Sequence, residues 1–199
     1  MLCSHFQNPM PQSKQSIVVL SKRQKGELAR LVALDYVPVD VTSKGPEEFK
    51  VLSPFYPVGG IPIEDGGQPV LEPGATSESV EGLWQGLKVF DNELVDPKKF
   101  RNRSMKQLKR GISKKRGRVQ GHRGAAGLVP YKEARRRIYL PAYERQLRSA
   151  VAKVALERLR ALPKLVLLDY GTNADVEDTR TPLSHAALVR RFLLEGSVA

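Results

Sequence analysis

One cysteine, one tryptophan and no long apolar run set the first limits on this chain. Cys3 alone closes no intrachain disulfide and builds no cysteine-rich zinc site, which points to a reducing compartment. Residues 165–168, among the longer apolar stretches, fall far short of the roughly 20 needed to cross a bilayer. The first residues lack the apolar core of a signal peptide. The expectation is a soluble cytoplasmic protein with no membrane partner. Acid is scarce as well: 21 Asp and Glu stand against 33 Lys and Arg, a formal net charge of +12 over 199 residues. That excess attracts phosphates without choosing their carrier, whether nucleic acid, dinucleotide or anionic surface. The P-loop spacing GxxxxGK[ST] is missing, as are helix-turn-helix, zinc-finger and RNP patterns.

What is present reads as one domain over residues 16–199 behind a loose, proline-bearing terminus over 1–15. A β-branched strand at 16–20 precedes a helix at 22–34. An alternating strand follows at 37–41, and Pro38 gives it an edge position. Residues 43–79 are dominated by Gly and Pro turn signals; a loop this long is often functional. A helix is expected over 79–90, although Gly82 and Gly86 weaken it in isolation. From Lys98 to Arg123 twelve Lys and Arg occur with no Asp or Glu. Residues 104–108 read as a short helix capped by Ser104, and Gly111, Gly117, Gly121 and Gly124 break the rest into loop. Residues 131–162 form one or two helices, with Pro141 opening the second. Their apolar face is Leu140, Tyr143, Leu147, Ala150, Val151, Val154, Leu156 and Leu159. Residues 166–170 either finish that helix or form a buried strand. A polar loop and a helix over 183–194 follow. The picture is a small N-terminal β element leading into a helical body.

The stretch SVEGLWQGLKVF, residues 79–90, gathers the most chemistry. Val80, Leu83, Leu87 and Phe90 fall at helical spacing, and Glu81, Gln85 and Lys88 form a second stripe. Such a helix offers an acid, an amide, a cation and the aromatic Trp84 to one cavity. From spacing alone, Glu81 reads first as a solvated partner of Gln85 or Lys88. Trp84 either stacks on a ligand or anchors the core, and Lys88 either holds a phosphate or lies on the surface. Phe55 and Tyr56, in the proline-flanked SPFYP segment, line a pocket or tuck into the core. Ser53 there donates its hydroxyl to a ligand or merely starts a turn. In GRVQGHRG, residues 117–124, Arg118 and Arg123 grip phosphate in a glycine-rich loop or stay solvated. His122 and His185 are candidates for proton transfer, with a structural role as the alternative. With Cys3 and His5 they make a poor zinc set, and no metal or cofactor is expected. Asn173, Asp175 and Asp178 orient a ribose or serve as turn residues.

The residues of the SPFYP segment, Ser79-Val-Glu81 with Gln85 and Lys88, and Leu167-Leu168 with Gly171 and the polar run to Asp178 resemble the NADAR family, named for NAD and ADP-ribose association. The order and rough spacing match across residues 50–185. The chain resembles more closely a group of bacterial proteins of unknown function that share SPFYP, SVEGLWQGLK and PLSHA. The NADAR resemblance implies an α+β, predominantly helical fold without metal. It also implies cleavage of an N-glycosidic bond in an ADP-ribosyl or ribosyl-phosphate substrate. Glu81 becomes the catalytic carboxylate, stabilising positive charge on the anomeric carbon or deprotonating water. Trp84 and Tyr56 stack, Lys88, Arg118 and Arg123 hold phosphate, and Asn173 and His185 position ribose or water. One departure is that Pro182-Leu-Ser-His-Ala186 replaces the family's terminal acidic and Trp-Gly residues. The competing expectations are a nucleic-acid-binding protein that uses the basic 98–123 segment, with DNA or RNA as partner, and an ADP-ribose sensor without chemistry.

Overall fold

The computed structural model describes residues 15–198. Apart from Gln15, the loose terminus expected over residues 1–15 lies outside them, with Cys3 and His5. The described chain opens with β1 (Ser16–Ser21), α1 (Lys25–Val32) and β2 (Val37–Asp40). A 3-10 turn over Glu47–Leu52 precedes the short strands β3 (Ile61–Pro62), β4 (Glu64–Asp65), β5 (Gln68–Pro69) and β6 (Thr76–Ser77). Then come α2 (Val80–Gly86), β7 (Lys88–Phe90), α3 (Pro97–Phe100), β8 (Val119–Gly124) and β9 (Gly127–Val129). α4 (Tyr131–Ala134), a π-helical turn (Arg135–Tyr139), α5 (Leu140–Leu147), α6 (Ala150–Arg160), β10 (Lys164–Asp169) and α7 (His185–Glu195) follow.

The expected predominance of helix is overturned. The fold is mixed α/β, 35% helix and 21% strand in several small sheets. Two of the segments behind the difference become the middle strands of their sheets. Residues 119–124, expected as a glycine-broken loop, form the middle strand of the antiparallel sheet β7-β8-β9. Residues 166–170, open between a helix end and a buried strand, fall largely within β10, the middle strand of the sheet β1-β10-β2, parallel to both neighbours. An uninterrupted apolar run suits a parallel strand covered on both faces. Leu165 and Leu167 join the main core, whereas Val166 and Leu168 pack with Leu20 and Leu31 on the opposite face. β2, with its Pro38, takes the expected edge.

Pro141 does not open a separate helix. It follows the π-helical turn and lies in the first turn of α5, and α4, the π turn and α5 run on without a break. A proline nitrogen donates no hydrogen bond, and a widened turn accommodates that loss. Residues 104–108 are not helical: Met105 and Gln107 adopt left-handed backbone angles (φ 59° and 55°). Asn102 Oδ1 accepts from both the Ser104 amide and its hydroxyl at 2.8 Å. On α6 the expected apolar face is only partly buried, since Val151 and Val154 remain exposed.

α2 is shorter than the expected 79–90 helix, and its glycines explain themselves by contact. A Cβ on Gly82 would stand 2.7 Å from the Lys99 carbonyl oxygen, and one on Gly86 would stand 2.1 Å from the Phe100 ring. These two positions, one turn apart, let α3 lie directly on α2. The helix stops at Gly86 because its C-terminal carbonyls find other donors. Asp96 N–H donates to Gly86 O (2.9 Å), and the buried Arg110 guanidinium donates to Gln85 O (2.9 Å) and Lys88 O (2.8 Å). A cation at a helix C-terminus also complements the helix dipole. Gly86→Ala is therefore expected to destabilise by about 1–3 kcal/mol despite the better helix propensity of alanine. Urea denaturation checks this, and an unchanged midpoint would refute the close approach.

Candidate functional site

The sequence of α2 places its acid inward. Ser79, extended and buried, caps the helix by accepting from Gly82 N–H at 3.0 Å. The Glu81 amide donates to Pro54 O at 2.8 Å, tying α2 to the SPFYP segment. α5 grips that segment in turn: Tyr143 Oη donates to Leu52 O (2.5 Å), and Gln146 Nε2 donates to Val51 O (2.7 Å) and Ser53 O (2.8 Å). This brings Phe55 and Glu81 to one cavity of about 780 Å³.

Glu81 is 6% exposed. Its Oε1 accepts from Gln85 Nε2 at 2.8 Å, while Gln85 Oε1 accepts from Arg110 N–H at 2.8 Å. The second bond fixes which end of the amide faces the acid. Burial raises the Glu81 pKa above the usual glutamate value; Gln85, Lys88 and Lys109 pull the other way. Lys88 lies on β7 rather than on the helix, yet lines the same cavity. Burial lowers its pKa, against the pull of Glu81. Lys109 lies over the Phe55 ring at 5.7 Å and completes a pair of cations beside the acid.

The aromatic wall differs from the expected one. Trp84 lines the cavity, but His122 stacks on its indole with ring centroids 3.6 Å apart. Tyr131 and Tyr139 meet it edge-on, each at 5.4 Å. His122 is fully buried and lies outside the cavity lining. Desolvation, assisted by Lys88, lowers its pKa to about 3, so it backs the indole as a neutral ring. Alternation along β8 turns His122 inward and leaves its neighbour Arg123 exposed. Arg118 is also exposed, and neither arginine reaches the cavity. Ser53 is fully buried and outside the cavity lining, and Tyr56 packs against the main core.

The opposite wall comes from the end of β10 and the start of α7. His185 opens α7 and lines the cavity between the rings of Phe55 (6.3 Å) and Tyr143 (6.4 Å). Burial lowers its pKa and keeps the imidazole neutral; Asp169 opposes that shift and Lys109 reinforces it. Asn173 also lines the cavity, but its side chain is engaged in the loop over residues 171–182. Its Nδ2 donates to Asp178 O (3.0 Å) and Thr181 O (3.1 Å), and its Oδ1 accepts from Asp175 N–H (2.9 Å). Asp175 is exposed and serves the turn, whereas Asp178 lines the cavity.

Sequence reasoning missed Lys109, Tyr131, Arg135, Tyr139 and Asp169, which all line the cavity. Arg135 is 2% exposed and clasps the 171–182 loop, donating to Val176 O (3.2 Å), Asp178 O (2.7 Å) and Thr181 O (2.6 Å). Glu177, on the same loop, pairs with Lys132 and Arg136. Asp169 carried a legible signal, as a carboxylate closing an apolar strand. Nothing separated Arg135 from Arg136 and Arg137 beside it.

The sequence pattern of DUF6939, a family of unknown function, matches residues 21–189. The chain belongs to the DUF6939 family. No curated protein and no solved structure matches it. The DUF6939 match contains all of the cavity-lining residues, from Phe55 to His185. Among the described residues no three His, Cys, Asp or Glu side chains come together to hold a metal, and no helix is long and apolar enough to cross a membrane.

A raised acid destabilises the folded chain whenever it is ionised. Below the ordinary glutamate value both states carry the proton and nothing is lost. As pH rises through that value the unfolded chain ionises first, and the penalty grows until the folded-state value is passed. Glu81→Gln is thus expected to unfold at a higher temperature than the parent at pH 7, with the gap closing toward pH 4. Thermal unfolding across pH 4–8 checks this; a variant less stable at every pH would contradict it.

Proposed function

We propose that the cavity hydrolyses an N-glycosidic bond in a ribosyl-phosphate or ADP-ribosyl substrate. The observation that carries the reading is the Glu81 carboxyl: buried, held by Gln85 through Oε1, and facing a cavity that also holds two lysines and several aromatic rings. In the proposed reaction the C1–N bond breaks, the base leaves with the electron pair, and positive charge grows on the sugar ring. An ionised Glu81 beside C1 stabilises that charge, and a raised pKa equally suits it to take a proton from water. Lys88 and Lys109 receive the phosphate groups as point charges. Phe55, Tyr131 and the free edge of Trp84 enclose the sugar and base. Lys88 keeps its expected part in this reading, and Lys109 takes the part expected of Arg118 and Arg123.

The second reading, a nucleic-acid-binding surface over residues 98–123, is favoured by one observation. Arg110 and Arg116 pair with Glu93, and Arg103 with Glu78, but Lys114, Lys115, Arg118 and Arg123 make no ion pair among the described residues. On that reading, binding to any oligonucleotide weakens steeply with salt. A sensor that binds ADP-ribose without turnover is the third reading.

The deciding experiment incubates the protein with ADP-ribosylated nucleosides, modified DNA and RNA, and free nucleotides, and follows released base or ADP-ribose by mass. The glycosidase reading expects turnover on a member of this panel. Glu81→Gln should lower it by about 10²–10⁴-fold and leave binding nearly intact. Equal activity in the variant would remove the mechanism, and ADP-ribose binding without release would favour the sensor.

A further inference from the structure

Asp169 plays no part in the proposed chemistry, yet it sits beside His185 on the cavity wall. It closes the middle strand of the parallel sheet and is 4% exposed. Its Oδ2 accepts from Ser184 Oγ (2.9 Å), His185 N–H (2.7 Å) and Ala186 N–H (3.4 Å), and its Oδ1 accepts from Tyr170 N–H (2.7 Å). The carboxylate therefore occupies the donors that open α7. The His185 imidazole stands over the same oxygen, with Nδ1 3.9 Å from Oδ2. That Nδ1 is shut off from solvent and has no hydrogen-bond partner among the described residues.

We infer that Asp169 is a positioning residue for His185, fixing the first turn of α7 and the ring tautomer together, with the proton on Nδ1 and the Nε2 lone pair turned to the cavity. The electrostatic argument is direct. A lone pair on Nδ1, itself shut off from solvent, would face a carboxylate oxygen 3.9 Å away, whereas an N–H there is attracted. Among the described residues Asp169 is the carboxylate that acts on the His185 ring. The groups around the ring are Asp169 from β10, Lys109 from the basic segment, Tyr143 from α5 and Phe55 from the SPFYP segment. Lys109 is cationic and disfavours a charged ring, so Asp169 is the group that can steady a transient imidazolium.

This assigns His185 a step that rests on the glycosidase reading, with Glu81 acting there as the stabiliser of charge on C1 and not as the base. Nε2 takes a proton from water as its oxygen bonds to C1, and returns the proton to the departing base nitrogen. Water is consumed, and the free base and the sugar hydroxyl are the products. The tautomer itself does not depend on that reading.

The test is two-bond ¹H–¹⁵N correlation spectroscopy on the uniformly ¹⁵N-labelled full chain, with His185 assigned by loss of its signals in His185→Gln. The expected result near neutral pH is a neutral ring with the proton on Nδ1 and an unprotonated Nε2. A ring protonated on Nε2 would overturn the proposal. Asp169→Asn, where it folds, should shift the tautomer toward Nε2–H. On any substrate the panel identifies, it should lower kcat by on the order of 10²-fold with KM little changed and move the acidic limb of the pH profile. An Asn variant with the parent's tautomer would also overturn it. No turnover on the panel with the Nδ1–H form present would sink the glycosidase step and leave the positioning role standing.

Discussion

A carboxyl group held out of water is the constraint on which the rest of the cavity depends. Glu81 keeps its place because Gln85 faces it with an amide N–H₂, and Gln85 can do so only because the Arg110 backbone takes its carbonyl end. The same Arg110 closes the C-terminus of α2 with its side chain and pairs with Glu93. One residue of the basic segment thus ends the helix and orients the amide that holds the acid. A satisfied buried network of this kind fixes one geometry, whereas a half-satisfied one would leave a desolvated group without a partner.

The parallel sheet supplies the other half of the site. Leu165 and Leu167 face one core and Val166 and Leu168 the other, so the end of β10 is anchored on both faces. Ligands of open α/β sheets lie beyond the carboxyl ends of parallel strands, and Asp169 to Asn173 extend from such an end into the cavity. α2 and the SPFYP segment meet them from the opposite side. The 171–182 loop is held there by Arg135, whose π-helical turn also contributes Tyr139 to the wall. π turns are found often at functional sites.

Much of this was legible where local pattern and burial agree. The edge strand with Pro38, the helix beginning near residue 183 and the shared helical face of Glu81 and Gln85 all followed from spacing and composition. What was not legible depends on partners distant in sequence. The 119–124 stretch reads as loop by its glycines and becomes a strand only because β7 and β9 flank it. Gly82 and Gly86 look like flaws in a helix until Phe100 and Lys99 are seen against them. Lys88 reaches the cavity from a strand, because pairing with His122 replaces the helical turn that spacing implied. Arg118 and Arg123 seemed suited to a phosphate by type, but strand alternation leaves Arg123 outside and Arg118 stays on the exposed hairpin.

The central claim, that the fold desolvates one carboxyl group beside a cavity, is open to direct observation. Carboxyl ¹³C chemical shifts of Glu81, followed through a pH titration of the intact chain and assigned with Glu81→Gln, report its ionisation without any substrate. The account predicts a midpoint above that of an ordinary glutamate. A midpoint at or below the ordinary value would place Glu81 in water or in a dominant ion pair, and the cavity described here would lose its acid.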